Sequence, residues 1–244
     1  MISKLTAHRY IPCNYDGTDW LCGDLHGQLE ALKIVLLAAG FDPRRDRLFI
    51  MGDIIDRGPH SRELLSWVLS TDWVHSVMGN HELVFVAGST DARYRGKHRA
   101  LGGEWADLLD AKEYRQLADQ CLKHFPLTIT LASNYGTLGL VHAQSPSDNW
   151  ESVQQAVPSQ RFAIDCTWPW NRAQGEERII TGVSAVVSGH IGSSQVIQKG
   201  NQVWLDTLEQ TGEITIAPIN EILSWIKGPG VTAKPSCNDG SDDD

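Results

Sequence analysis

The chain has 244 residues, of which 41% are apolar, and carries a formal net charge of −9. This size permits a single domain with a substantial core, and the negative charge argues against general binding to nucleic acids or anionic membranes. The five cysteines are scattered without a CxxC pair, and no segment resembles a signal peptide or reaches transmembrane length. We therefore expect reduced thiols and a cytoplasmic protein.

Short apolar runs alternate with helical patterns in the first half of the chain, which predicts an α/β architecture. The segments "TDWLCG" and "DRLFIM" are predicted strands, separated by a helix, "QLEALKIVLLAAG", that Gly40 closes. The next helix, "SRELLSWVLS", is predicted to have Ser61 as its N-cap and to precede the strand "WVHSVM". Residues 104–123 are predicted to be helical.

The second half is richer in strand patterns, and "EQTGE" is predicted to be a hairpin turn. The predicted strands there are "LTITLA", "TLGLVHA", "AVVSG", "QVIQ", "QVWLDTL" and "EITIAPI". We expect one domain over residues 1–227 and a disordered acidic tail over 228–244, where Pro, Gly and Asp dominate.

Side chains that bind metals follow five of the predicted strands, and Gly directly precedes four of these positions. Sites in open α/β sheets form beyond the carboxyl ends of the strands, and Gly there permits a sharp turn or a close approach to an ion. We therefore predict one shared site. The residues at the five strand ends are Asp24 with His26, Asp53, Asn80 with His81, His142, and His190.

The predicted ligands combine carboxylate, amide and imidazole groups without a thiolate, which suits Mn²⁺, Fe or Zn²⁺. Six ligands exceed what one catalytic ion with open positions needs, so we predict two divalent ions bridged by Asp53. Their residual positive charge would attract a phosphate ester. The six ligands are Asp24, His26, Asp53, Asn80, His142 and His190.

His81 is predicted to face the substrate as a general acid, because its neighbour Asn80 faces the metal. Asp56 is the expected partner that orients His81, and Arg57 and Arg172 are expected to bind phosphate oxygens. Other histidines show no partner pattern and receive no site role; they are His8, His60, His75, His98 and His124. Asp206 is interpreted as structural, and the basic run 93–99 as a solvated loop in preference to an electrostatic approach for substrate.

Five sequence features together resemble the phosphoprotein phosphatase branch of the metallophosphoesterases. They are "GDLHG", "GDIIDRG", "GNHE", a lone His after a strand and a closing "GH". The likeness is greatest to its small prokaryotic and phage members, and it extends from about residue 8 to residue 218. It implies a β-sandwich flanked by helices, with the dimetal site at the carboxyl ends of the strands.

The resemblance also implies a reaction and a role for each residue. A hydroxide on a pair of Mn²⁺ ions would attack phosphoserine or phosphothreonine directly, without a phosphoenzyme. Asp24 and His26 would hold the first ion, and Asp53 would bridge to a second ion on Asn80, His142 and His190. His81 with Asp56 would supply the acid, and Arg57 and Arg172 would bind phosphate.

The chain departs from the family at three places: at Gln144, where relatives usually have an acidic residue, at "GHIG" in place of "GHT", and at Leu208, where relatives usually have Gly.

The nearest alternative function is that of a symmetric diadenosine tetraphosphate hydrolase, whose second motif usually has Ala in place of Asp56. A nuclease usually has His where this chain has Gly192, and a binding module without activity would have lost a ligand. The expected partner is a phosphorylated protein, with no nucleic acid and no membrane; the oligomeric state is left open.

Overall fold

The computed structural model describes residues 4–226, which form two β-sheets packed face to face between helices. The six-stranded sheet has the order β1-β5-β6-β7-β9-β8, and the four-stranded sheet has the order β10-β2-β3-β4. The strands are β1 His8–Ile11, β2 Asp19–Cys22, β3 Arg47–Ile50, β4 Val74–Ser76, β5 Thr128–Ser133, β6 Gly136–Val141, β7 Ala185–Ser188, β8 Ile197–Lys199, β9 Gln202–Trp204 and β10 Ile216–Pro218.

Parallel pairing in both sheets brings the carboxyl ends of the central strands to one edge of the sandwich. Strands β2, β3 and β4 are mutually parallel, as are β6, β7 and β9, whereas β10 is antiparallel to β2. Loops that leave these strands therefore begin close to one another.

One apolar core lies between the sheets, where alternate residues of each strand point inward. Leu21 and Phe49 of the smaller sheet belong to the same buried cluster as Ile129, Leu140 and Val187 of the larger sheet. A second cluster forms where the helices cover the outer faces. The predicted α/β sandwich is confirmed.

The helices occupy the connections between strands and cover the sheets. They are α1 Leu29–Ala38, α2 Ser61–Ser70, α3 Asn80–Gly88, α4 Ala92–Ala100, α5 Ala111–His124, α6 Trp150–Gln154, α7 Gln160–Thr167, α8 Asn171–Gln174, α9 Leu208–Thr211 and α10 Ile219–Trp225. The predicted closure of α1 by Gly40 is confirmed, since this residue has a φ of +73° directly after the helix.

Two predicted helix boundaries are wrong. The helix predicted over 104–123 is a 3₁₀ helix, Glu104–Leu108, followed by α5, because the Asp110 side chain caps a new helix by accepting from two backbone N–H groups. Ser61 is the first residue of α2 and not its N-cap. Its hydroxyl instead accepts from the backbone N–H of Asp56, so the hydroxyl binds the preceding loop and does not cap the helix.

Two predicted loops are also wrong. The basic run 93–99 lies in α4, which Asp91 caps, and so is helical. The segment "EQTGE" is not a hairpin turn; its first three residues lie in α9, which Gly212 caps with a φ of +76°. In both places a local cap stabilises a short helix that charge or strand pattern alone did not indicate.

The cysteine prediction is confirmed in part. Cys22, Cys121 and Cys166 are buried free thiols, whereas Cys13 is disulfide-bonded, contrary to expectation. Spacing along the sequence does not reveal which cysteines the fold brings together. Because disulfides are uncommon in reducing compartments, the cysteines no longer support the cytoplasmic location, which stays a prediction.

Within residues 4–226, no helix combines the length and apolar character needed to cross a membrane. The predicted tail over residues 228–244 lies outside the described part of the chain.

Candidate metal centre

Two groups of metal-binding side chains lie at the shared edge of the sandwich. His26, Asp53 and His81 form one group, and Asp53, His142 and His190 form the other; within each group, the potential ligand atoms lie within 4.8 Å of one another. Asp53 belongs to both. Two neighbouring ions could therefore share its carboxylate.

One oxygen of Asp53 is the geometric centre of the site. Asp53 Oδ2 lies 3.4 Å from His142 Nε2, 3.8 Å from His81 Nε2 and 3.9 Å from His26 Nε2. These side chains come from loops after four different strands, which long-range packing brings together. The convergence expected from the strand ends is therefore present.

Backbone carbonyls orient two of the predicted imidazole ligands. His142 Nδ1 lies 2.6 Å from the carbonyl of Met51, and His26 Nδ1 lies 3.0 Å from the carbonyl of Ile55. A hydrogen bond from Nδ1 fixes the tautomer and leaves Nε2 with a lone pair for a metal. Both rings thus present the nitrogen that faces Asp53.

The remaining predicted ligands touch the same set of side chains. Asn80 Oδ1 lies 2.9 Å from His142 Nε2, and both carboxylate oxygens of Asp24 accept from the backbone N–H of His190, at 3.1 and 3.0 Å. All six predicted ligands are therefore brought to one region.

Left-handed backbone conformations are concentrated at this site. In the described part of the chain, every non-glycine residue with a positive φ is a predicted site residue: His26, Asp53, Asp56, Arg57 and His190. Each such residue costs on the order of 1–3 kcal/mol and persists only where surrounding contacts fix it. Conformational strain therefore marks the same loops that the sequence motifs indicate.

Gly52, which precedes Asp53, has a φ of +91° and makes the predicted sharp turn, but Gly79 and Gly189 have a different reason. A Cβ atom on Gly79 would overlap the carboxylate of Asp53, and one on Gly189 would overlap the carboxylate of Asp24. The neighbouring loops thus pass against ligand carboxylates, and only glycine leaves the space for these side chains.

The electrostatics of the site fit cations. Burial, with the neighbouring carboxylates of Asp206 and Asp53, raises the pKa of Asp24, and burial followed by Asp53 raises the pKa of Asp206 to about 6. Within residues 4–226, the buried Asp206 Oδ1 has no hydrogen-bond partner. A buried cluster of acids with an unpaired oxygen is stabilised by a multivalent cation, so these residues fit divalent metal ions.

The predicted acid and its partner are in contact. His81 Nδ1 lies 2.8 Å from Asp56 Oδ2, and both residues are buried. Burial alone would lower the pKa of His81, but the carboxylates of Asp53 and Asp56 outweigh burial and raise this pKa above its ordinary value. The pair can hold a proton on an imidazole that faces the centre.

The two predicted phosphate-binding arginines differ in position. Arg57 lies with Nη1 3.2 Å from His26 Nε2, and its side chain is 42% exposed, so it borders the centre and reaches solvent. The Arg172 guanidinium is ion-paired with Asp148 at 2.6 Å. Its backbone N–H donates to Gln144, whose own amide donates to Asn171. Gln144, a position at which the chain departs from the family, thus links α8 to the loop after His142.

The alternative role of the basic run 93–99, an electrostatic approach for substrate, is not supported, since its charges are used locally. Arg93 pairs with Asp91, and Arg99 pairs with Asp107. Arg95 donates to a backbone carbonyl and lies over the ring of Tyr114.

Three contributors to the site had no predicted role. Glu82 is fully buried, and its carboxylate accepts from the backbone N–H groups of Asp53, Ile54, Ile55 and Gly79. An acidic residue inside "GNHE" was a usable signal for it. His98 and Trp105 contact Asp56 from a distant segment, and neither has a spacing that indicates this.

The family described as calcineurin-like phosphoesterase matches residues 20–194 of the chain. The Escherichia coli (strain K12) protein named serine/threonine-protein phosphatase 2 is 30% identical over 213 residues, which is 84% of this chain and 90% of that protein. The symmetrical bis(5'-nucleosyl)-tetraphosphatase of Pseudomonas fluorescens (strain SBW25) is 35% identical over 125 residues, but over only 51% of this chain and 42% of that protein.

Solved structures support the fold. A protein serine/threonine phosphatase from Saccharomyces cerevisiae superposes with a TM-score of 0.58 at 15% sequence identity, covering 84% of this chain and 72% of that chain. At this identity the likeness concerns the fold alone.

We expect Glu82→Gln to lower the free energy of unfolding at pH 8 by about 2–4 kcal/mol, because an amide NH₂ would face backbone N–H donors inside the fold. Denaturant unfolding measures this change. Glu63→Gln, at an exposed position of α2, is the matched control and should change stability by less than about 0.5 kcal/mol. Equal effects of the two substitutions would contradict the role of Glu82.

Proposed function

Because the chain belongs to the calcineurin-like phosphoesterase family, we propose that it is a protein phosphatase that hydrolyses phosphoserine and phosphothreonine monoesters. The observation that supports this most directly is the carboxylate of Asp53, which belongs to both groups of potential ligands, one of which includes His81, the buried partner of Asp56. A dimetal centre next to an oriented acid has the components that phosphate monoester hydrolysis needs.

Asp24, His26 and Asp53 would hold one ion, and Asp53, Asn80, His142 and His190 would hold the other. When bound, the ions would withdraw charge from the phosphoryl oxygens and lower the pKa of a coordinated water. We propose Mn²⁺, with Fe or Zn²⁺ as alternatives that accept the same nitrogen and oxygen donors.

The leaving alkoxide would take its proton from His81. Asp56 binds Nδ1, so the proton to be transferred is on Nε2, the nitrogen that lies 3.8 Å from Asp53 Oδ2 and faces the centre. Arg57 would bind phosphate oxygens at the exposed border. Arg172 is also proposed to bind phosphate, and to do so it would exchange its ion pair with Asp148 for the substrate.

A symmetrical diadenosine tetraphosphatase is the second candidate, since such enzymes share substantial identity with part of the chain. One comparison and one expectation from the family resemblance favour a protein phosphatase. The relative named as a serine/threonine-protein phosphatase is matched along 90% of its length, and Asp56 occupies the position where the dinucleotide hydrolases usually have Ala.

We further propose that residues 1–227 form a single catalytic domain and that a phosphorylated protein is the partner. Neither nucleic acid nor a membrane is expected to bind. The cytoplasmic location stays a prediction.

The substrate class is tested with metal-stripped enzyme that is reloaded with Mn²⁺. We expect a higher kcat/KM on a phosphoserine peptide than on diadenosine tetraphosphate, because the oriented acid serves a poor alkoxide leaving group. A preference for the dinucleotide would replace the proposal with the second candidate.

His81→Asn should lower kcat on a phosphoserine peptide by roughly 10²–10⁴-fold, since a neutral amide cannot protonate the alkoxide. Elemental analysis should find the same metal content as in the unaltered protein. Near-normal turnover of the peptide would refute the acid role.

Asp53→Asn should weaken the occupancy of both ions, because one carboxylate is shared by the two ligand groups. Metal content is measured after dialysis against limiting Mn²⁺, with Asp119→Asn on the surface as the control. A variant that retains two ions per chain would exclude bridging by Asp53.

A further inference from the structure

A group of buried side chains holds the Asp56 carboxylate on the side away from His81. Trp105 Nε1–H donates to Asp56 Oδ1 at 2.7 Å, and His98 Nε2 lies 2.8 Å from the same oxygen. Asp56 Oδ2 is the oxygen that binds His81 Nδ1. The His98 contact is close but lacks the alignment of a hydrogen bond, since no hydrogen-bond partner is aligned with its Nε2 within the described residues.

The same segment supports the backbone on which Asp56 lies. We call residues 98–105 the bracket. The backbone carbonyl of Gly102 accepts from the N–H of Arg57 at 3.0 Å. Asp56 and Arg57 are consecutive residues with φ of 75° and 66°, a strained arrangement for side chains of L configuration. The bracket thus fixes both the carboxylate and the strained turn that carries it.

Packing makes the bracket rigid. The ring of Trp105 is stacked on Phe85, with centroids 5.4 Å apart, and Phe85 is stacked on Tyr114 at 4.5 Å. His98 is 2% exposed, and a Cβ atom on Gly103 would overlap its ring. Neither Trp105 nor His98 can therefore move without disrupting the cluster around Phe85.

A carboxylate that orients a histidine must itself be held, because rotation about its last side-chain bond moves both oxygens. Without the donor on Oδ1, a buried oxygen of Asp56 would lose its partner, and the carboxylate would turn toward another donor. Small misplacements of catalytic groups cost large factors in rate, up to about 10²-fold for roughly 1 Å.

We propose that His98 and Trp105 are positioning residues that hold Asp56 so that it presents one oxygen to His81. This inference rests on the proposed phosphatase function, with His81 as the acid. The two residues do not touch substrate. They act on the leaving group through Asp56 and His81.

The experiment compares aryl phosphates whose leaving groups depend differently on protonation. Trp105→Phe keeps an aromatic ring against Phe85 and removes the N–H donor. We expect kcat on phenyl phosphate to fall by about 10-fold to 100-fold, and kcat on p-nitrophenyl phosphate to fall by less than about 3-fold, because nitrophenolate leaves without an acid. KM and metal content should stay unchanged.

Tyr114→Phe is the matched control. It removes a buried hydroxyl that donates to the Phe85 carbonyl, and not to Asp56, at 2.8 Å in the same aromatic cluster. It should leave the ratio of the two kcat values unchanged. For His98, the Gln variant retains a side-chain N–H donor and should preserve more of the phenyl phosphate activity than the Leu variant. This pair tests the inference even if Trp105→Phe does not fold.

A double-mutant cycle separates positioning from general loss of structure. In a His81→Asn background, Trp105→Phe should have no further effect on kcat for phenyl phosphate, because the acid through which it acts is gone. Equal losses on both substrates, or losses that multiply in the double variant, would overturn the inference. If His81→Asn lowers kcat equally on phenyl phosphate and p-nitrophenyl phosphate, the proposed acid role fails. If His81→Asn lowers kcat more on phenyl phosphate but Trp105→Phe does not, the acid role stands and only the positioning inference fails.

Discussion

The carboxylate of Asp53 is the constraint on which the rest of the structure depends. It is buried among three imidazoles whose Nε2 atoms lie 3.4–3.9 Å from one of its oxygens. Burial alone would raise the pKa of Asp53, yet the histidines, His142 first, lower it well below its ordinary value, so the carboxylate stays ionised. Side chains from loops of both sheets can meet there only because parallel strands end at one edge of the sandwich.

This arrangement requires local conformations that a chain would otherwise avoid. The loop of Asp53 has a positive φ, and its backbone N–H groups are bound by the buried carboxylate of Glu82. Burial and the nearby Asp53 raise the pKa of Glu82 to about 7. The apolar core between the sheets stabilises the fold enough for such strain and for a cluster of buried acids. The loop of Asp53 is therefore held by hydrogen bonds within the protein itself.

The border of the centre differs from its interior. Arg57 is half exposed and lies beside His26, whereas Arg172 is held by Asp148 and by the amide of Gln144. Under the proposed function, the interior residues would carry out the hydrolysis of the phosphate monoester, and the border residues would contact the phosphorylated chain. Of the departures from the family, Gln144 is buried and accepts from the backbone N–H of Arg172, whereas Leu208 begins the short helix α9 and packs against the apolar core.

The sequence by itself determined the ligand-bearing loops, since Asp24, Asp53, Asn80 and His190 follow glycine at strand ends and the period of apolar residues locates those strands. It also indicated the His81–Asp56 pair through motifs that are local in the chain. It could not indicate the contacts of His98 and Trp105 with Asp56, the role of Ser61 or the helical basic run, because each depends on a partner or cap that no periodic pattern encodes. Only the tertiary structure brings residues more than 40 positions apart to one carboxylate, since such contacts arise from the packing of the whole fold and not from local propensity.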